Sequence, residues 1–484
     1  MTKAMGPRGG AAGTGSPGTG SSASDNGWPM PRSTRTWGGG SVFTASVATA
    51  VATWCFIIGG YVSYYLQAGP GTLAMIAGSL IGILFIALAC VPVTAKYGFD
   101  TVTSTVPQLG VRGKYLAVAL IYLATIGWNI YLIVLLGRSV VAIAGAVDIS
   151  IPSWTVGLIG VIAIGLVVLI LRKGADSVKD FTRLIAAVVI LLAVAVIVLI
   201  VKDTGWSNLM SLPATAPYDD EKANWASGLE VLISVNLSWW AYTAAIARNG
   251  ARARSSLWPV VFALGLGVGL GSLAGFYGGL VVPDSAGDPT LFVVDLGGTA
   301  FGIVALGFVV VSSFGTTTVG MYSATLALRQ LPGIRGLSWR MSTVIAAVPA
   351  IVLVGFFPNP VFDNFSVFLA FLAIAFAPMC GIQIVDWYLL RQQRYDIEAI
   401  YDATPRSTYW FCGGVNPVAA VSFALGVITY LYLLDPVTYV SRSPFEYMTA
   451  SIPTVLVAAV AYYLGTRVFY TRAGRFGYRS SLHI

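Results

Sequence analysis

Between residues 38 and 470 the sequence runs through twelve apolar stretches, each long enough to cross the hydrocarbon layer of a bilayer. No other feature constrains the chain as tightly. In lipid every backbone N–H and C=O must be paired within the protein, so such stretches can only be helices. They lie near 38–67, 70–95, 113–146, 153–171, 179–201, 225–247, 256–282, 299–329, 339–357, 361–390, 416–434 and 446–470, and they predict an all-α polytopic membrane protein with twelve transmembrane spans. No polar block between them is long enough to form a second domain. Residues 37–470 therefore read as one membrane domain, with a leader at 1–36 and a tail at 471–484.

The charges support this topology. Charged residues make up 10% of the chain and hydrophobic ones 56%. If the chain threads back and forth through the twelve spans, one face collects the leader, the loops at 96–114, 172–183, 248–254, 329–340 and 391–406, and the residues after 466. That face carries 24 of the 28 Lys and Arg residues. The other holds Lys202, Lys222 and Arg442, and Arg138 falls within the third span. Basic loops stay on the cytoplasmic side during insertion. The expectation is a multi-pass protein of the cell membrane with both termini cytoplasmic. The net charge of +8 is thereby a topology signal, and nucleic acid is not an expected partner.

Gly, Pro, Ser and Thr make up 22 of the 36 leader residues, a composition too poor in apolar surface to offset ordering entropy, so the leader is expected to be disordered. It has no apolar core and is not a signal peptide. The cysteines, Cys55, Cys90, Cys380 and Cys412, form no CxxC, and the only histidine is His483. A zinc site or histidine-based triad within the membrane is thus excluded. HExxH, GxSxG and paired acids at membrane depth are absent, which argues against an enzyme. No repeated filter motif suggests a channel.

Near the end of the tenth span stands Ala377-Pro378-Met379-Cys380-Gly381-Ile382-Gln383-Ile384-Val385-Asp386-Trp387-Tyr388-Leu389-Leu390-Arg391-Gln392-Gln393-Arg394-Tyr395. It resembles the Pro-Pro-x-Gly-x-x-Ile-Ala-Asp-Tyr-x-x-x-Arg-Arg-x-Tyr pattern of the nucleobase:cation symport family, the purine–cytosine permeases. Gly413-Gly414-Val415-Asn416 is similar to that family's Gly-x-Asn-Trp before span 11. Lys96-Tyr97-Gly98-Phe99-Asp100 with Gln108-Leu109-Gly110-Val111-Arg112-Gly113 is similar to its loop between spans 2 and 3, and Gly127-Trp128 to its third span. The four matches keep family order from about residue 40 to 435. The resemblance implies two inverted five-helix repeats, with spans 1 and 6 broken at mid-membrane around a central site, and two appended C-terminal spans.

It also implies a set of site residues. Trp128 would stack on a flat heterocycle, with Thr125 three residues earlier on the same helix face. Ala52 and Thr53 at the first break would face the substrate. In span 6, Asn236 and Ser238 would line the site, and either Trp239 or Trp240 would supply a second ring face; helix-to-helix hydrogen bonding is the plainer role for Asn236 and Ser238. A sodium site would use the carbonyls of Ala48 and Val51 with Ser312, Ser313, Thr316 and Thr317, the exact register on span 8 being set either by Ser312 and Thr316 or by Ser313, Thr316 and Thr317. Thr317 is also an expected substrate-binding residue. Small-residue packing is the plainer reading of that cluster. Relatives often carry an Asp three residues before an Arg in span 6; here Ala245 precedes Arg248, which removes that acid. Arg138 and Glu230, the two charges on the outer halves of spans, are a candidate outer gate pair, although Arg138 could also snorkel to the interface.

The resulting expectation is a symporter that imports a nucleobase such as cytosine or a purine, or else hydantoin, allantoin or a vitamin-like heterocycle, by alternating access. It would need no cofactor and no obligate protein partner. Sodium is the expected coupling ion, with a proton the alternative, because no carboxylate is expected at the core of the site.

Overall fold

The computed structural model describes residues 29–172 and 179–478. Each of the twelve anticipated segments contains helix. The first span is split into α1 (Gly39–Ala50) and α2 (Trp54–Ser63), which meet at 70°. There follow α3 (Ala68–Tyr97), α4 (Lys114–Gly145), α5 (Thr155–Leu171) and α6 (Lys179–Thr204). The sixth span is α7 (Glu221–Leu237), a tight 3-10 turn over Ser238–Ala241, and α8 (Thr243–Ala247). The rest are α9 (Arg254–Gly271) running into α10 (Leu273–Val281), α11 (Pro289–Leu328), α12 (Trp339–Phe356), α13 (Phe365–Val385), α14 (Pro417–Leu433) and α15 (Ser451–Thr466).

Span 8 begins ten residues earlier than the apolar run suggested. Asp288 caps α11 by accepting from the Thr290 amide, and Pro289 occupies the first turn, where a missing N–H costs nothing. Gly298, at φ 74°, then kinks the helix.

The break in span 1 falls at Val51-Ala52-Thr53, where Val51 is extended (φ −98°, ψ 111°). It leaves the last carbonyls of α1 without helical donors. What holds α2 at its angle is glycine. A Cβ on Gly59 would lie 1.9 Å from the Ser272 carbonyl oxygen, and one on Gly275 would lie 1.7 Å from that of Phe56. The α2 and α10 backbones therefore touch directly, and any larger residue would force them apart.

Three apolar cores result. A smaller core joins α4, α5, α11 and α12 through Ile133, Val156, Ile164, Met321, Ala346 and Val354. Another gathers Val93, Phe99, Trp387, Tyr395 and Tyr470 on the basic face. The largest unites spans 1, 2, 6 and 7 with α13, α14 and α15.

The leader differs from expectation at its end. Residues 1–28 lie outside the described residues, but 29–36 are seated rather than disordered. The Arg35 guanidinium donates to the Ala95 and Lys96 carbonyls at the C-terminus of α3, and the Met30 amide donates to the Gly98 carbonyl. A cation at a helix C-terminus satisfies carbonyls that the helix leaves open, a local compensation that composition does not reveal. Of the tail, residues 471–478 are packed against the basic face, and 479–484 lie outside the described residues.

Candidate functional site

A cavity of about 340 Å³ lies where the two broken spans face α4 and α11. Its walls include Val51 and Ala52 from the first break, Ser238 and Trp239 from the second, Trp128 from α4 and Thr316 from α11. Among the described residues, none with a charged side chain lines it. Ala245, where relatives often carry an acid, is part of the wall.

Trp128 is locked by a collar of rings. Trp54 lies 5.1 Å away between centroids, and Phe365 and Phe368 meet the indole edge-on at 5.4 and 5.9 Å. Gly127 makes room for the Phe368 ring, which a Cβ would meet at 2.3 Å. An aromatic face held this way loses little freedom when a flat ligand stacks on it.

The second break separates the two tryptophans left open by the sequence. Trp239 lines the cavity. Trp240 is turned away; its indole donates to Gln383 Oε1 at 2.6 Å and stacks on Phe376. Successive residues of a tight helical turn point in directions more than 100° apart, so only one of two neighbours can face a given wall.

Several anticipated residues do not line the cavity. Thr125 is buried and gives its hydroxyl to the Ile121 and Tyr122 carbonyls. Asn236 is buried against α3, its Nδ2 donating to Ser79 Oγ and the Leu232 carbonyl. Thr53 shares a hydrogen bond of 3.1 Å with Ser313, joining the first break to α11. Thr317 is buried beside the cavity wall with its hydroxyl unpartnered, as is that of Ser312. Ala48, Val51 and Thr316 do line the wall.

Cavity residues that sequence reasoning missed are Trp54, Asn129, Tyr242 and Phe314. Asn129 carried a signal, since a carboxamide within a span is costly unless it faces a partner or a cavity.

Arg138 and Glu230 are not paired with each other. Arg138 binds Asp288, the cap of α11, at 2.8 Å and lies 4.2 Å over the Phe362 ring. Glu230 is buried in a different place. Its carboxylate accepts from the Ser234, Tyr430 and Ser451 hydroxyls and from the Ala450 and Ser451 amides at the start of α15. Hydropathy gives the depth of a charge but not its azimuth, and these two face different helices.

Of the family matches, Gly127-Trp128 lies at the cavity, while the residues of the other three gather on the basic face, away from it. The buried Asp386 carboxylate accepts from Gln108, Tyr395, Tyr462, Tyr478 and Arg391. Arg391 also donates to the Pro107 and Phe476 carbonyls and lies 3.9 Å over the Tyr478 ring. Burial pushes the Tyr478 phenol up, so it stays protonated and donates. Asn416 ties the next loop in by donating to the Gln108 carbonyl.

The profile of permeases for cytosine/purines, uracil, thiamine and allantoin matches residues 29–463. The chain belongs to this family. It is a family of transporters, not of enzymes. Inward-facing Mhp1 aligns over 92% of this permease and 93% of its own length, with a TM-score of 0.74 and 17% identity. Mhp1, a nucleobase-cation-symport-1 family transporter, in a closed conformation with bromovinylhydantoin bound, aligns over 93% and 98% with a TM-score of 0.70 and 18% identity. A substrate-bound, outward-open Na+-coupled sialic acid symporter aligns over 92% and 93% with a TM-score of 0.57 and 13% identity. These likenesses give the permease its fold, a multi-pass helical core of inverted repeats with broken first and sixth spans. Transporter aclS of Aspergillus oryzae (strain ATCC 42149 / RIB 40) is 26% identical over 105 residues, which is 21% of this chain and 16% of that protein.

Proposed function

We propose that the permease imports a neutral, flat nitrogen heterocycle, a nucleobase such as cytosine or a purine or a hydantoin-like ring, by sodium symport. The observation that carries this reading is the uncharged cavity at the two helix breaks, with Trp128 on one wall and Trp239 on another. A charged substrate entering that space would lose its hydration without a counter-ion. A flat neutral ring keeps most of its free energy through stacking. Alternating access rocks the α4, α5, α11 and α12 group against the spans 1, 2, 6 and 7 group about this cavity. The basic face, with both chain ends, is cytoplasmic on the reading of the Lys and Arg asymmetry.

Sodium suits the oxygens beside the cavity. The carbonyls of Ala48 and Val51 end the first half-helix and share the cavity wall with Thr316, while Ser313 meets the first break through Thr53; Ser312 and Thr317 lie beside these on α11. Hard cations take such neutral oxygens. Two of these hydroxyls, on Ser312 and Thr317, are buried without a partner, which an ion would satisfy.

The test is uptake of labelled cytosine, uracil, hypoxanthine and hydantoin into vesicles under imposed gradients. Accumulation driven by sodium is expected. Thr317→Val should raise the sodium needed for half-maximal uptake at normal surface expression. Trp128→Ala should weaken substrate binding by about 1–3 kcal/mol at any sodium level. Uptake that ignores sodium and collapses with the proton gradient would make the proton the coupling ion.

A further inference from the structure

Asn129 is the residue next to Trp128, and it is 2% exposed. Its side chain belongs to the cavity wall, yet its Nδ2 has no hydrogen-bond partner. Among the described residues it is the one buried side-chain amide nitrogen left in this condition. Other buried amides each make at least one hydrogen bond: Asn236 Nδ2 donates to Ser79 and Gln108 Nε2 to Asp386, although Asn236 Oδ1 and Gln108 Oε1 are unpartnered, and Gln383 Oε1 accepts from Trp240. Buried donors are nearly always satisfied, so an orphan on a cavity wall points to a ligand.

The opposite helix makes space for this group. A Cβ on Gly320 of α11 would lie 2.0 Å from Asn129 Oδ1, so any other residue there would push the carboxamide from its place. Most hydroxyls around the cavity are already used as donors within their own helices, Thr316 and Tyr242 being the exceptions on the wall. Thr49, Ser238, Thr318 and Ser323 each give their proton to a carbonyl of their own helix. They face the cavity as acceptors.

Resting on the heterocycle reading above, we propose that Asn129 is a specificity-determining residue that donates from Nδ2 to an acceptor on the edge of the ring stacked at Trp128. The class of substrate selected is the oxo-heterocycle, whose C=O lies in the ring plane and can take that hydrogen bond. Gly320 sets the position of the amide.

The experiment uses the full-length purified permease and follows thermal unfolding with uracil, cytosine, hypoxanthine, hydantoin and allantoin as probes. A ligand bound to the folded state raises the melting temperature, so the shift reports affinity. Asn129→Leu replaces an unpaired amide with an apolar isostere. The variant should keep or exceed the unliganded melting temperature of the wild type while binding the best probe roughly tenfold or more weakly. Asn129→Asp, which keeps the shape and turns the donor into an acceptor, should show the same loss and serves if the leucine variant does not fold. A purely structural amide would instead lower the unliganded melting temperature. Wild-type-like binding by both folded variants would overturn the role of Asn129 and leave the heterocycle reading intact. Wild-type protein that binds none of the five probes would overturn that reading, and this inference with it.

Discussion

Two ion pairs mark the two ends of the permease, and they are built differently. On the basic face, Asp386 and Arg391 are wholly buried, with side chains 0% and 1% exposed. Every polar atom they present is met by a tyrosine, a glutamine or a carbonyl from four separate stretches of chain. At the other end, Arg138 and Asp288 make a single bridge, and the Arg138 side chain is 24% exposed. It ties α4 to the cap of α11, with one ring contact at Phe362. The first arrangement can be taken apart only at great cost and acts as a fixed staple. The second is partly open to solvent, so water can replace either partner and the pair adds little to a contact that α4 and α11 already make through their shared core. The motif that reveals the family therefore marks the staple, while the cavity that faces the substrate lies elsewhere.

The largest effect should follow from breaking the staple. Arg391→Ala leaves the Asp386 carboxylate buried without its cation, which typically costs about 3–5 kcal/mol. Thermal unfolding in detergent should show a large fall in melting temperature, or little folded protein should be recovered. A variant of normal stability that has lost uptake would move the network from scaffold to transport and erase the contrast.

An intermediate effect is expected at Glu230. It sits on the same side as Arg138 but is built like the staple, with five donors on one carboxylate. Glu230→Gln keeps one acceptor oxygen and presents an NH2 to amides that need an acceptor. A loss of about 1.5–3 kcal/mol follows from weakening charge-assisted hydrogen bonds, read as a lower melting temperature. Loss of proton-driven uptake without loss of stability would assign Glu230 to coupling instead.

Arg138→Ala should change stability least, by under about 1 kcal/mol, since partly exposed pairs contribute little. Thermal unfolding should show a small fall in melting temperature. A large fall would make this pair a second staple.

Asp386 also shows where sequence reading stops. The Pro378 to Tyr395 stretch and Asn416 identify the family, yet nothing in their spacing says that Gln108, Tyr462 and Tyr478 converge on one carboxylate. Those partners lie far apart along the chain, and their meeting is decided by how α13, α15 and the loops pack. The same holds at the site. That Trp128 lies at membrane depth was legible, whereas the turn of Trp240 toward Gln383, of Asn236 toward Ser79 and of Thr53 toward Ser313 was not.

The sequence by itself determined that the apolar segments are helical and roughly where they lie, because lipid leaves an unpaired backbone no alternative to helix. The break in the first span was implied by the family resemblance, and the β-branched Val51 and Thr53 at mid-span are compatible with it. The tertiary structure alone decided which side of each helix faces the cavity. Buried spans are apolar on nearly every side, so no amphipathic stripe records their orientation. Orientation is set instead by contacts such as Gly59 on Ser272 and Gly320 beside Asn129, where the absence of a side chain lets another backbone or an amide come close.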